Sequence, residues 1–125
     1  MTKELHFRAW DDKKKMWVGS VYLSLDGKLI SQIVETENIV IEQYTGLDDK
    51  YGKEIYEGDI IEVETATFEE TEVSRYEVYW NEDMLDDSLR LIRGIDYDDC
   101  VAELSTSAVR VIGNIHENTE LLKGR

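Results

Sequence analysis

The sequence predicts a mainly β fold with a single short helix at the C-terminus. Apolar and polar side chains alternate with a period of two along most of the chain, which is typical of half-buried strands. Turn-forming residues, glycine and aspartate above all, separate these alternating stretches. The length of 125 residues suits one domain over residues 1–125, and 42% hydrophobic side chains are enough to form its core.

The N-terminal third is expected to form strands joined by tight turns. Residues 5–10 alternate as a strand, and the lysine run at 13–15, which follows two aspartates, predicts a solvated turn. Residues 16–34 are expected to form a β-hairpin, because Asp26-Gly27 suits the positive φ angles of its turn. A further strand is predicted from Ile39 to Tyr44.

A turn-rich stretch precedes the remaining strands. Gly46, Gly52 and Gly58 punctuate the segment from Thr45 to Asp59, and this spacing indicates turns between short strands rather than a phosphate-binding loop. Alternating runs after this segment predict further strands. These runs are Ile60–Glu64, Tyr76–Trp80, Leu89–Ile92, Val101–Leu104 and Val109–Ile115.

A short helix is expected to begin near Asn118. Asparagine is a favourable N-cap residue, and Glu120 would lie in the first turn, where the helix dipole favours a negative charge. Leu121 and Leu122 would supply its apolar contacts.

The sheet edges and the aromatic residues indicate self-association. The chain contains no proline, so its edge strands lack a common guard against pairing with other strands. A second copy can complete such an edge, and symmetric assembly is the usual result, so we expect a homo-oligomer. Trp10, Trp17 and Trp80 are expected in the core or at subunit contacts.

The charge restricts the classes of partner. The chain has 28 acidic against 14 basic residues, a formal net charge of −14 and a pI near 4.4. Phosphate recognition draws its affinity from Lys and Arg, so we expect no direct binding to nucleic acid and no docking to an anionic membrane. A negative field attracts basic surfaces, and a host protein with a basic surface is therefore a candidate partner.

The sequence favours a cytoplasmic location. No apolar run approaches the about 20 residues that a membrane-spanning helix needs. No apolar stretch follows Met1, so no signal peptide is expected. Cys100 is the only cysteine and cannot form an internal disulfide, which suits a reducing compartment.

Few residues suggest catalysis. His6 lies on an alternating strand and is expected to point outward, while His116 lies near the other end of the chain. A pair of histidine ligands, or a dyad with Cys100, has no support from local spacing. Cys100 instead fits a small apolar residue at the start of a strand.

A metal site is not expected either. Asp96, Asp98 and Asp99 could supply oxygen ligands to a hard cation, but they lack the glycine and the distal glutamate of a calcium loop. We therefore predict no catalytic, cofactor-binding or metal-binding residues, no cofactor and no enzymatic activity.

Three sequence blocks resemble the YopX-like family of phage and prophage proteins. HFRAWD at His6–Asp11 resembles the family's FRAWD opening. QYTGLDDKYGKEIYEGDII at Gln43–Ile61 resembles QYTGLKDKNGKEIYEGDIV, and VIGNIHENTELL at Val111–Leu122 resembles VIGNIYENPELL. Thr119 stands where the family pattern has proline, and residues 66–108 show little of the pattern, so features specific to this member are expected there.

The resemblance implies a β-rich fold with a large mixed or antiparallel sheet curled into a barrel, a tendency to assemble in rings, and a phage or prophage accessory role without an established reaction. We expect the protein to act through protein contacts. One alternative is an acidic nucleic-acid mimic that inhibits a host DNA-binding protein, since outward carboxylates at Glu62 and Glu64 would be spaced by roughly 7 Å along one strand face. A second alternative is a small-ligand-binding barrel or an enzyme.

Overall fold

The computed structural model describes residues 5–23, 38–66, 68–94 and 106–124. Eight strands and two short 3-10 turns make up the regular structure of these residues. The strands are β1 (Leu5–Asp11), β2 (Met16–Leu23), β3 (Ile39–Asp48), β4 (Glu54–Tyr56), β5 (Asp59–Ala66), β6 (Thr71–Asn81), β7 (Asp86–Arg93) and β8 (Val109–Asn114), and the 3-10 turns are Thr106–Ala108 and Thr119–Leu122.

The mainly β prediction is confirmed. The strands form two antiparallel four-stranded sheets, in the orders β2-β1-β3-β4 and β7-β6-β5-β8, and one sheet curls as a half-barrel. The chain divides into two compact units, Met1–Tyr44 and Thr45–Arg125, and β3 continues from the first into the second. A single domain over residues 1–125 stays a prediction, which one cooperative unfolding transition would support.

The core of the second unit lies on one face of its sheet. Strand β5 places Ile61 and Val63 on this face, and Val78 of β6 lies opposite Leu89 of β7 on the same side. Partly buried apolar side chains extend the cluster at its margin. The buried members are Ile55, Ile61, Val63, Tyr76, Val78, Leu89 and Val109, and the partly buried ones are Leu47, Leu91 and Val111.

Two hairpins, one in each unit, close with the same turn geometry. In each hairpin, a four-residue loop follows the first strand. The side-chain Oδ1 of the last residue of that strand accepts hydrogen bonds from the backbone N–H groups of the second and third loop residues. The fourth loop residue has a positive φ. The contacts are Lys13 N and Lys14 N to Asp11 (3.0 and 2.9 Å), and Asp83 N and Met84 N to Asn81 (3.0 and 3.2 Å); the positive φ angles are 55° at Lys15 and 52° at Leu85.

The first turn and the strand after it form where the sequence predicts them. The turn at 13–15 is confirmed, and the strand beginning at Met16 is β2, which pairs with β1. Residues 24–37, which contain the predicted Asp26-Gly27 turn, lie outside the described residues, as does the predicted strand Val101–Leu104.

The C-terminal helix is a single 3-10 turn. Asn118 precedes it, but its side chain makes no capping hydrogen bond to that turn. Its Oδ1 instead accepts the backbone N–H of Asn114 at 3.1 Å. The backbone N–H of Leu121 donates to the carbonyl of Asn118 at 2.9 Å, which closes the turn. The N-cap role predicted for the asparagine is therefore wrong: the side chain binds the end of β8.

Candidate protein-contact surface

Asp49, in the central block, is a buried carboxylate that organises a turn. Its Oδ1 accepts the backbone N–H groups of Tyr51 and Lys53, both at 2.9 Å, and its Oδ2 accepts that of Val111 at 3.0 Å. Burial alone would raise the pKa of Asp49, but these three hydrogen bonds outweigh it and hold the pKa below its ordinary value. The carboxylate is thus a fixed acceptor that attaches the loop 49–53 to β8.

Asn114, in the C-terminal block, organises a second turn. Its Oδ1 accepts the N–H groups of His116 and Glu117, at 3.0 and 2.8 Å. The preceding Gly113 lies against Asn118, whose Cγ would be 2.7 Å from a Cβ at position 113. A side chain there would displace Asn118, so close packing favours glycine at position 113.

The N-terminal block builds a charged and aromatic cluster within the first unit. Arg8 Nε donates to Glu42 Oε1 at 3.0 Å, and the guanidinium of Arg8 lies 4.5 Å from the ring centre of Trp17. Trp10 is buried and meets Trp17 edge to face, with ring centres 5.0 Å apart. The two tryptophans are cross-strand partners in β1 and β2.

Glu62 does not present a free outward carboxylate. Its side chain is 13% exposed and lies between Arg75 and Arg110, accepting a hydrogen bond from each. Burial would raise the pKa of Glu62, but the two guanidinium groups lower it below the ordinary value. Glu64 is exposed, with Lys50 Nζ 3.6 Å from its Oε1. Both carboxylates lie on the face of β5 opposite Ile61 and Val63, as expected, but Glu62 is neutralised there by two arginines.

The two histidines lie in ordinary structural surroundings. His6 is half-buried on β1, and its ring meets Tyr44 edge to face at 6.1 Å between ring centres. His116 follows β8, where its backbone N–H binds Asn114. Cys100 lies outside the described residues.

The described ranges bring together no group of three or more His, Cys, Asp or Glu residues that could hold a metal ion. Asp96, Asp98 and Asp99 lie outside those ranges.

Among the described residues, large exposed apolar side chains are concentrated on the β6–β7 hairpin. Trp80, at the end of β6, is 45% exposed, and Met84 and Leu85 in the loop are 68% and 74% exposed. At the opposite end of β6, Phe68 is fully exposed and Val73 half-exposed. All five residues fall within the segment 66–108, where the family pattern fades and features specific to this member are expected. We refer to residues 80–87 as the hairpin tip.

Asp87, at the base of the hairpin tip, has a strongly perturbed carboxyl group. It lies directly opposite Trp80, which places it on the sheet face of Val78 and Leu89. Burial there, together with a hydrogen bond and charge repulsion from Glu57 and the charge of Asp86, raises the pKa of Asp87 to about 7. The carboxyl group of Asp87 therefore titrates near neutral pH.

The sequence predicts a core or contact role for Trp80 but none for Met84, Leu85 or Asp87. The sequence does contain a signal for this surface: two adjacent apolar residues within a turn, with two carboxylates on each side. Trp80 was expected in the core or at a subunit contact; its exposure is compatible with the second of these. Trp10 is buried, as expected of a core residue.

The three motif blocks and the strands between them match a known protein family. The model of the YopX protein family matches residues 6–123. The chain belongs to the YopX family. The resemblance predicted from the three blocks is confirmed.

A solved structure has a fold similar to that of this YopX protein. The crystal structure of protein EF1440 from Enterococcus faecalis is similar at 25% sequence identity and a TM-score of 0.58, covering 98% of this chain and 99% of that one. A comparison with curated proteins found no match. Within the residues that the structure describes, no helix of this YopX protein is long and apolar enough to cross a membrane.

Proposed function

We propose that this YopX protein is a cytoplasmic, non-enzymatic phage or prophage accessory protein that acts through protein–protein contacts. The observation that carries the proposal is the exposure of Trp80, Met84 and Leu85 at one hairpin end of a strongly acidic chain. Scattered exposed apolar residues are normal, but a local group of large ones is typical of contact surfaces. Tryptophan and methionine are also enriched where proteins bind each other.

The roles of the family motif residues support binding over catalysis. Asp49 has both carboxylate oxygens engaged by backbone N–H groups, and its pKa lies below the ordinary value. A general acid or base needs a pKa near the working pH and access to a substrate proton, and Asp49 has the opposite properties. Asn114 is likewise occupied by the turn that follows β8. The blocks thus act as a folding framework, and the segment between them carries the surface.

The nucleic-acid mimic receives less support than a protein contact. A mimic needs unneutralised carboxylates in an ordered row, and Glu62 is neutralised by Arg75 and Arg110. The small-ligand or enzyme alternative depends on the Glu57–Asp87 pair, because perturbed carboxyl groups gather at reactive sites. Structural carboxyl pairs show the same perturbation, and the exposed apolar residues beside this one favour a contact surface.

Self-association is part of the proposal. Among the strands that the structure describes, β7 and β8 are the outer ones of the second sheet. The outer side of β8 is occupied by the loop 49–53, through the bonds from Lys50 N to Val109 O and from Val111 N to Asp49. A second copy would therefore pair more readily along β7 than along β8. Light scattering should give a mass above the 14.5 kDa of one chain at micromolar concentration; a mass of one chain across this range would contradict self-association.

The decisive experiment for the proposed function is affinity purification of the tagged protein from its host during phage induction, at about 0.1 M salt. We expect a host or phage protein in a fixed ratio to the tagged chain, absent from a parallel purification with the tag alone. Recovery of the tagged chain with no other protein in a fixed ratio would contradict a role through protein contacts beyond self-association.

A further inference from the structure

We infer that the hairpin tip docks into an apolar pocket on a different protein, and that this pocket is rimmed by Lys or Arg side chains. The inference rests on the proposed function, because it names the contact surface and the chemistry of its partner. Three observations carry it: the apolar side chains that the tip exposes, the rigidity of its turn, and the sign of the charge around it.

The apolar side chains of the tip are placed as a projecting knob. Met84 and Leu85 lie in the loop between two paired strands, each more than two-thirds exposed, and Trp80 lies near the end of β6, four residues before Met84. Leu85 also adopts a φ of 52°, a left-handed conformation that glycine or asparagine accommodates with less strain. An apolar residue at a strained and solvated position gains nothing from the core, so its use points to a contact with another molecule.

The turn is already ordered before any partner binds. Asn81 Oδ1 accepts the N–H groups of Asp83 and Met84, and the strands are paired up to Asn81 and Asp86. The backbone of the tip therefore loses little conformational freedom on docking, which favours its use as a preformed anchor. A pocket, rather than a flat surface, fits a knob of this kind.

The charge of the tip selects the partner. No Lys or Arg occurs between Arg75 and Arg90, and the tip itself carries Glu82, Asp83, Asp86 and Asp87. Carboxylates that surround an apolar anchor are matched by basic residues around the pocket that receives it.

A second copy of the chain is the less suitable occupant of the hairpin tip itself, because contact between two tips would bring eight carboxylates together. An anionic membrane surface repels the tip for the same reason.

The test places a photo-crosslinking benzoylphenylalanine at position 84 of the full-length chain, expressed in the host during phage induction. A matched chain carries it at position 68 instead of Phe68, which is also an exposed apolar residue but lies at the opposite end of β6. We expect one major adduct with a different protein from position 84 and not from position 68. A further chain carries the probe at position 84 together with Glu82→Lys and Asp83→Lys. Compared with the chain that carries the probe alone, it should form no such adduct.

The partner is then purified and titrated with the unlabelled chain. Met84→Ser combined with Leu85→Ser, and separately Glu82→Lys combined with Asp83→Lys, should each weaken binding about tenfold or more, whereas Phe68→Ser should leave the affinity within about twofold. Raising salt from about 0.1 to about 0.5 M should weaken the wild-type complex, because the rim contacts are screened. Unchanged melting temperatures and circular dichroism spectra confirm that each variant is folded.

Four outcomes would overturn the inference: no adduct from position 84, an adduct with a second copy of this chain, an adduct with lipid, or a partner whose affinity survives both double substitutions. An adduct from position 68 alone would overturn the role of the tip while leaving the proposed function standing. If neither position gives an adduct and the affinity purification recovers no partner, both this inference and the proposed function are contradicted.

Discussion

The backbone N–H of Val111 donates to Oδ2 of Asp49 at 3.0 Å, a contact between residues 62 positions apart in the sequence. It joins the central and C-terminal blocks that identify the YopX family. The adjacent bond from Lys50 N to Val109 O, at 3.0 Å, strengthens the same junction. The two blocks are therefore parts of one structural unit, a loop fixed along the outer side of β8.

Removing the Asp49 carboxylate should destabilise the protein strongly. Asp49→Ala leaves three backbone N–H groups without their acceptor, and we expect a loss of about 2–4 kcal/mol in the free energy of unfolding, measured by urea titration. Asp48→Ala, at the exposed neighbouring residue, is the matched control and should change the free energy by less than about 0.5 kcal/mol. Equal losses in the two variants would show that Asp49 does not hold this junction.

The two arginines that bind Glu62 should differ in their contribution to stability. Arg75 is 14% exposed and also donates to the carbonyl of Leu121, whereas Arg110 is 51% exposed. Arg75→Ala should therefore lower the free energy of unfolding by about 2–3 kcal/mol, because it removes one partner from the largely buried Glu62 carboxylate and the hydrogen bond to the Leu121 carbonyl. Arg110→Ala should cause the smaller loss, because water screens an exposed partner. A larger loss for Arg110→Ala in urea titrations would contradict this ranking.

The Glu57–Asp87 pair should make stability fall as the pH rises toward 8. The pKa of Asp87 is about 7 in the folded chain, against about 3.9 in an unfolded one, so the folded state binds more protons between these values. This contribution is complete below about pH 4 and is lost as the pH rises through about 7. Asp87→Asn should remove that part of the dependence and raise the melting temperature at about pH 8 relative to the wild type.

The control for this prediction is Asp83→Asn, in the exposed loop of the same hairpin. Its stability should run parallel to that of the wild type between about pH 5 and pH 8, since Asp87 is unchanged in this variant. Parallel curves for wild type and Asp87→Asn over this range would show that the folded-state pKa of Asp87 is not raised.

Two glycines with positive φ should differ in their tolerance of alanine. Gly94 has a φ of 113°, and a Cβ there would lie 2.6 Å from Ser74 Cβ and 2.7 Å from its Cα. Gly46 has a φ of 89°, but a Cβ there would meet nothing within 4 Å. Gly46→Ala should cost about 1–2 kcal/mol from backbone strain alone, and Gly94→Ala at least about 3 kcal/mol because steric overlap is added. Thermal unfolding of both variants checks the order, and equal costs would contradict it.

The strands and turns could be predicted because their signals are local. The alternation from Ile60 to Glu64 indicates which side chains face the core. The aspartates before the lysine run indicate the turn. The neutralisation of Glu62 could not be predicted, because Arg75 and Arg110 approach it only through the pairing of three strands. The Glu57–Asp87 contact is of the same kind, since it links a turn with a strand 30 positions later in the chain.

The C-terminal helix shows a different limit of prediction. Asn118 has a high intrinsic preference for N-caps, but the backbone N–H of Asn114 competes for its side chain and binds it. The local preference was correct in placing a turn at this point. Only the folded chain decides which of two nearby donors the amide oxygen accepts.

The equivalence of the two hairpin turns separates the shape of each loop from its chemistry. Asp11 and Asn81 lie outside the two loops and fix the loop backbone through side-chain hydrogen bonds. One residue with a positive φ completes each turn. The loop side chains are consequently free to differ, as three lysines in one hairpin and a methionine–leucine pair in the other illustrate. New surface chemistry can thus arise in this scaffold by substitution within four residues, without any change in strand register, so related chains could acquire different recognition properties while retaining the same fold.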